Sequence, residues 1–143
     1  MEIIAGVATG AIAHGMLVAD RLTLPFIYVR SAPKAHGLSN QIEGDYKPGQ
    51  KVVVIEDLIS TGMSSLAAVE ALKIAGCKVL GLVAIFSYQF AQATEGFANA
   101  DVEFTTLSNY TELIDVAVES EHVKQEQLAL LKSWREHPDT WGK

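Results

Sequence analysis

The chain has 143 residues, of which 49% are hydrophobic and 20% charged, enough for one domain with a single substantial core and too apolar for a disordered chain. Its formal net charge of −6 disfavours a nucleic-acid partner but leaves a phosphorylated small molecule open, since a local nest of amides decides that. One cysteine, Cys77, excludes an internal disulfide, and no apolar run reaches bilayer length and no basic-then-apolar leader opens the sequence, so the reading is a cytoplasmic protein without a membrane partner.

Glu2-Ile3-Ile4-Ala5-Gly6 predicts a short buried strand beginning almost at once. Gly6-Val7-Ala8-Thr9-Gly10 is a turn of small residues, and Ile12, Met16 and Ala19 follow at helical spacing. His14, inside that helix, reads as packing or surface. Pro25 closes the connection, and Phe26-Ile27-Tyr28-Val29, aromatic and β-branched, predicts a second strand. Residues 30–44 lack sustained periodicity, carry Arg30, Lys34 and His36 among proline and glycine, and predict one long loop.

Pro48-Gly49 turns the chain into Val52-Val53-Val54-Ile55, whose unbroken β-branched run suits a strand buried on both faces. Glu56 and Asp57 then break the run, which predicts the strand's carboxyl end, where α/β sheets keep their sites. Ser60-Thr61-Gly62-Met63-Ser64 follows directly, before an Ala/Leu-rich helical segment with Leu66, Val69 and Leu72 as its stripe and Gly76 as its cap. Hydroxyls beside free helix-start amides make a phosphate seat, and paired carboxylates next to it suit a ligand with vicinal hydroxyls, such as a ribose 5-phosphate. A Walker-type loop is excluded because Met63, not lysine, follows Gly62. The plainer reading makes Glu56 and Asp57 a polar strand end and Ser60 a helix cap.

Residues 79–86 predict the next strand, with Ser87, Tyr88 and Gln89 at its ligand end; residues 90–98 read as helix and 102–107 as the last strand. Asn109, three residues before Glu112, is a helix-start pattern with Tyr110, Leu113, Ile114 and Ala117 on one face, and a final helix carries Leu128, Leu131 and Trp134 up to Pro138. His122 and His137 read as surface residues. Strands alternating with helices imply right-handed crossovers and a parallel sheet, an α/β Rossmann-like fold, and no repeat, low-complexity tract or linker divides it.

The block Glu56-Asp57-Leu58-Ile59-Ser60-Thr61-Gly62 resembles the donor-binding signature of type I phosphoribosyltransferases, and most of all that of the orotate phosphoribosyltransferases. Lys34-Ala35-His36-Gly37 followed by Gln41-Ile42-Glu43-Gly44 closely resembles their catalytic loop, and the turn around Ala8 and Thr9 resembles their pyrophosphate loop. The departures are Met63 where many relatives have glycine, Ser31 where many have lysine, a permuted order of small residues at Gly10-Ala11-Ile12-Ala13, and no arginine near Tyr88.

What the resemblance implies is a central, mostly parallel sheet flanked by helices, and transfer of the 5-phosphoribosyl group from phosphoribosyl pyrophosphate to orotate, giving orotidine 5-phosphate and pyrophosphate. Glu56 and Asp57 would hold the ribose hydroxyls. The segment Leu58, Ile59, Ser60, Thr61, Gly62, Met63 and Ser64 would hold the 5-phosphate, Ala8 and Thr9 the pyrophosphate, and Tyr88 would either lie near the base or be only a packing aromatic. Lys34 and His36, assisted by Arg30, would meet the leaving group, with Asp57 counted among the catalytic groups. Mg²⁺ would be held mainly through substrate and not by a protein cage, and a homodimer would place each loop over the neighbouring active site. The resemblance begins partway into the family pattern, so residues 1–143 are expected to form one phosphoribosyltransferase domain lacking the N-terminal hood, with low or no activity of their own. A non-catalytic nucleotide-binding module is the main rival, and a Rossmann dinucleotide binder fails because Gly6-Val7-Ala8-Thr9-Gly10 lacks the three-glycine spacing.

Overall fold

The computed structural model describes residues 1–30 and 41–141. Strand β1 (Ile3–Val7) leads into helix α1 (Ala11–Leu22), then β2 (Phe26–Val29) and β3 (Ile42–Glu43). The second half runs β4 (Lys51–Ile59), α2 (Met63–Ile74), β5 (Lys78–Ser87), α3 (Ala91–Asn99), β6 (Phe104–Asn109), α4 (Tyr110–Glu119) and α5 (Leu128–Glu136). Among the described residues these strands form one six-stranded sheet in the order β3-β2-β1-β4-β5-β6. Every neighbouring pair is parallel except β2 and β3, which run antiparallel through Tyr28↔Glu43 and Val29↔Ile42.

The order reverses between β1 and β4. From β1 the chain crosses to β2 on one side; from β4 it crosses to β5 on the other. Right-handed crossovers in opposite directions put α1 and α2 on opposite faces of the sheet and leave a crevice at the carboxyl ends of β1 and β4. The core beneath that crevice is β-branched and leucine-rich: Ile3, Ile4, Ile27, Val52, Val54, Ile59, Leu72 and Leu82 are all at most 2% exposed, together with Phe97 of α3. Such runs are what a strand covered on both faces requires.

Several expectations are corrected. The α1 stripe is Ala11, Gly15 and Ala19, whereas Met16 is half exposed. The helix sits so close to the sheet that a Cβ on Gly15 would come 2.7 Å from the Phe26 ring and 3.3 Å from Gly6 Cα, so small residues, not large ones, define the inner face. The loop predicted over 30–44 ends in β3, a two-residue strand too short to show a period. Strand β6 begins and ends two residues later than predicted, because Val102 is a buried connector held by its amide to Phe97 O. Leu113 of α4 is half exposed, while Tyr110 and Ile114 are buried as predicted. The Asn109 cap is present, its side-chain oxygen accepting from Glu112 N at 3.1 Å. Gly76 follows α2 as expected, and Cys77 behind it is buried, which pushes its thiol pKa up and keeps it inert. Among the described residues no helix is long and apolar enough to cross a membrane.

Candidate active site

Strand β4 does not stop at the carboxylates. It continues to Ile59, because β5 keeps pairing with it through Leu58↔Phe86 and Ile59↔Ser87. On its other side β1 pairs only as far as Gly6↔Ile55 and then turns away. Glu56 and Asp57 therefore sit where one neighbour has left and the other has not, which lets polar side chains emerge from a strand that is otherwise core.

Adjacent strand residues point to opposite faces, and the two acids meet different surroundings. Glu56 turns toward α2. It is only 3% exposed, its Oε2 accepts the Ser65 hydroxyl at 2.7 Å, and its Oε1 accepts the Asp57 amide at 3.1 Å. Burial pushes its carboxyl up to about 7; the Ser65 hydrogen bond pulls the other way, and Asp57 beside it pushes further up. Asp57 turns toward the start of α1 and stays half-buried, its Oδ1 accepting from Leu58 N at 2.8 Å. It lies against Gly10, where a Cβ would come 2.5 Å from the Asp57 carboxylate carbon. The Gly6–Gly10 turn of the sequence reduces to Ala8-Thr9-Gly10, since β1 runs through Val7. Ala8 N is tied to Val29 O at 2.8 Å, the Ala8–Thr9 peptide is cis, and Thr9 O accepts from Ile12 N as α1 begins.

The phosphate seat is shorter than predicted. Ser60-Thr61-Gly62 makes the turn and α2 begins at Met63, so Ser64 stands on the first helical turn. Gly62 holds the N-cap at φ 80°, a left-handed conformation that favours glycine, with Phe97 3.2 Å from where a Cβ would be. No side chain caps this helix start, and the first amides of any helix lack intrahelical partners, so those of residues 63–65 are available to an anion. Met63, where many relatives have glycine, is 67% exposed. Ile59, counted with the phosphate segment, is fully buried with its carbonyl taken by Tyr88 N, and Leu58 is 40% exposed.

Arg30 stands at the end of β2, its amide bonded to Gln41 O and its guanidinium 3.7 Å from Glu43. Lys34 and His36 lie outside the described residues. Tyr88 is stacked on Phe90 at 5.4 Å and meets Phe86, Tyr110 and Trp134 edge-on or tilted, which makes it the centre of an aromatic cluster. The sequence showed no cation near it; the fold supplies one from α5. Arg135 Nη1 donates to Thr111 Oγ1 at 3.0 Å and, more weakly, to Gln89 Oε1 at 3.4 Å, and with Thr61, Phe90, Gln92 and Pro138 it lines a cavity of about 220 Å³ beside the phosphate turn. Ser65, the partner of Glu56, was also missed. Its place nine residues after a buried acid is a signal only once that acid is known to be buried. Among the described residues no group of three or more His, Cys, Asp or Glu could hold a metal ion.

A doubly wound sheet with a carboxylate pair beside a helix-start phosphate seat at its switch point is the architecture of a phosphoribosyl-transferring domain, and the family model described as phosphoribosyl transferase domain matches residues 2–124. The chain belongs to the phosphoribosyltransferase family. Within it the sequence groups with the orotate phosphoribosyltransferases. It is 55% identical over 142 residues to that of Porphyromonas gingivalis, covering 99% of this chain and 68% of the relative, and 56% identical over 141 residues to that of Bacteroides thetaiotaomicron, covering 99% and 66%. The chain thus spans about two thirds of the length of these curated relatives. Among solved structures it is similar to the orotate phosphoribosyltransferase of Aeropyrum pernix, with TM-score 0.71 and 30% identity over 85% of this chain and 65% of that one. It is also similar to the UMP synthase of Leishmania donovani, with TM-score 0.76 and 26% identity over 94% of this chain and 29% of that one. An adenine phosphoribosyltransferase from Trypanosoma brucei, 24% identical at TM-score 0.63 over 78% and 57%, shares the fold.

Proposed function

We propose that the chain carries the donor site of an orotate phosphoribosyltransferase, in which the 5-phosphoribosyl group passes from phosphoribosyl pyrophosphate to a ring nitrogen of orotate. The observation that carries this reading is the junction of the Glu56–Asp57 pair with the uncapped start of α2, at the sheet's switch point. The identity to named orotate phosphoribosyltransferases supports the choice of base.

In this mechanism the 5-phosphate sits on the amides at the start of α2 and the hydroxyls of Ser60, Thr61 and Ser64. Asp57 faces the ribose hydroxyls, Glu56, expected from the sequence to share that role, is sealed toward α2 and braces Asp57 from behind, and the amides of the Ala8-Thr9-Gly10 turn receive the pyrophosphate. The bond from the anomeric carbon to the pyrophosphate oxygen breaks with its electron pair leaving on pyrophosphate, and the lone pair of the deprotonated orotate nitrogen forms the new bond. Positive charge grows at the sugar as negative charge gathers on the leaving group. Asp57 opposes the first, and Lys34 and His36, with Arg30, oppose the second as cations near the leaving group. Mg²⁺ would be held mainly through substrate, with the Asp57 carboxylate offering a hard oxygen, and would neutralise pyrophosphate charge when bound. The working form is a homodimer in the cytoplasm whose loops cross between subunits.

The test is turnover: this chain and a version extended at its N-terminus are each mixed with orotate, phosphoribosyl pyrophosphate and Mg²⁺ and the loss of orotate absorbance followed, with Asp57→Ala of the extended version in parallel. Orotate consumption abolished by Asp57→Ala supports the assignment, and unchanged consumption in that variant contradicts it.

A further inference from the structure

We propose that Ser65 is a positioning residue for the ribose-binding Asp57, acting through Glu56, which it fixes from the inner side of the same helical turn whose exposed side receives the phosphate. The proposal rests on the donor-site reading above and adds to it a residue outside the phosphate and ribose contacts.

Three observations carry it. Ser65 is fully buried, and its hydroxyl finds its partner in Glu56 Oε2 at 2.7 Å. Both oxygens of Glu56 are engaged, Oε2 by Ser65 and Oε1 by the Asp57 amide at 3.1 Å, so the carboxylate braces the peptide group from which Asp57 projects. The adjacent residues Ser64 and Ser65 stand about 100° apart on the first turn of α2, one exposed and one sealed. Without the Ser65 hydroxyl, Glu56 would keep a buried oxygen with no donor, a costly state relieved when the carboxylate swings toward water and lets go of the Asp57 amide. Asp57 would lose its geometry while the phosphate amides, which are backbone, keep theirs.

The phosphate and ribose halves of the ligand can therefore be probed apart by NMR titration of the full chain with ribose 5-phosphate and with inorganic phosphate. Ser65→Ala is expected to weaken ribose 5-phosphate binding by roughly tenfold, the size of one net hydrogen bond to a charged group, while phosphate affinity stays as in the parent. Ser65→Thr, which keeps the hydroxyl, is expected to restore most of the preference for the sugar phosphate. If Ser65→Ala melts before it can be titrated, Ser65→Cys, of similar size and a weaker donor, is read in its place with the same expected loss. Equal binding of ribose 5-phosphate by parent and variant, while Asp57→Ala loses it, overturns the role of Ser65 and leaves the donor site standing. Failure of the parent to shift at residues 60–64 with either probe overturns the donor-site reading itself.

Discussion

Gly10 and Asp57 are in contact across the crevice: a Cβ on Gly10 would stand 3.0 Å from Asp57 Oδ1 and nearer still to the rest of the carboxylate. The small-residue turn after β1 and the acid near the end of β4 are thus one unit, and the room Asp57 occupies exists because position 10 has no side chain. Gly10→Ala is expected to push the Asp57 carboxylate aside and lower kcat/KM for phosphoribosyl pyrophosphate by on the order of a hundredfold, as ~1 Å misplacements of catalytic groups do. Steady-state kinetics checks this, and Gly10→Ala with parental kinetics would show that Asp57 needs no such fit.

Glu56 makes stability depend on pH. Its folded value of about 7 lies above the ordinary 4.5 of an unfolded glutamate, so the native chain binds the proton more tightly. The stability this contributes is fully present below about pH 4.5 and is lost as pH rises through 7. Asp57 from the same strand opposes ionisation and Ser65 from α2 favours it. Glu56→Gln is expected to raise Tm over the parent at pH 8, by up to about 3 kcal/mol of stability, and to leave it unchanged at pH 4. Thermal melts at the two pH values check this, and an equal gain at both would place the effect in packing instead.

The strand-turn-helix units were legible in sequence because the buried runs, the hydroxyl-rich turn and the Asn109 cap are local signals. What stayed hidden depended on partners distant in sequence. Glu56 reads as a strand end because a carboxylate is a poor core residue; it continues the strand because Ser65, on another element, satisfies it. Met16 lost its inner place to Gly15 through the closeness of Phe26 and Gly6, which periodicity cannot foresee. Tyr88, placed near the base by resemblance, has its ring packed by Phe86, Phe90, Tyr110 and Trp134, an aromatic set drawn from three parts of the chain.

The gap in cations near β5 is filled by Arg135, which α5 lays against Thr111 and Gln89. Arg135→Ala is expected to loosen the end of β5 and lower stability by roughly 1 kcal/mol, the usual worth of such a half-buried hydrogen bond. Urea melts read this directly, with no change in midpoint as the contrary result.

Crossed sites in a homodimer predict complementation. In an N-terminally extended version of the chain, Lys34→Ala and Asp57→Ala homodimers should each be nearly inactive, the first because removing a group that opposes leaving-group charge costs about 3 kcal/mol. A mixture that exchanges subunits should recover activity, because one site in each heterodimer keeps both intact residues. Proven heterodimers without recovery would confine the loop to its own subunit.

The most direct test of the central claim is a crystal structure of the chain with phosphoribosyl pyrophosphate and Mg²⁺. The expected density places the 5-phosphate on the amides of residues 62–65 with Ser60, Thr61 and Ser64 around it, the ribose hydroxyls at Asp57, and the pyrophosphate over Ala8-Thr9-Gly10. Well-defined ligand elsewhere, with the turn at Ser60 empty, would contradict the account.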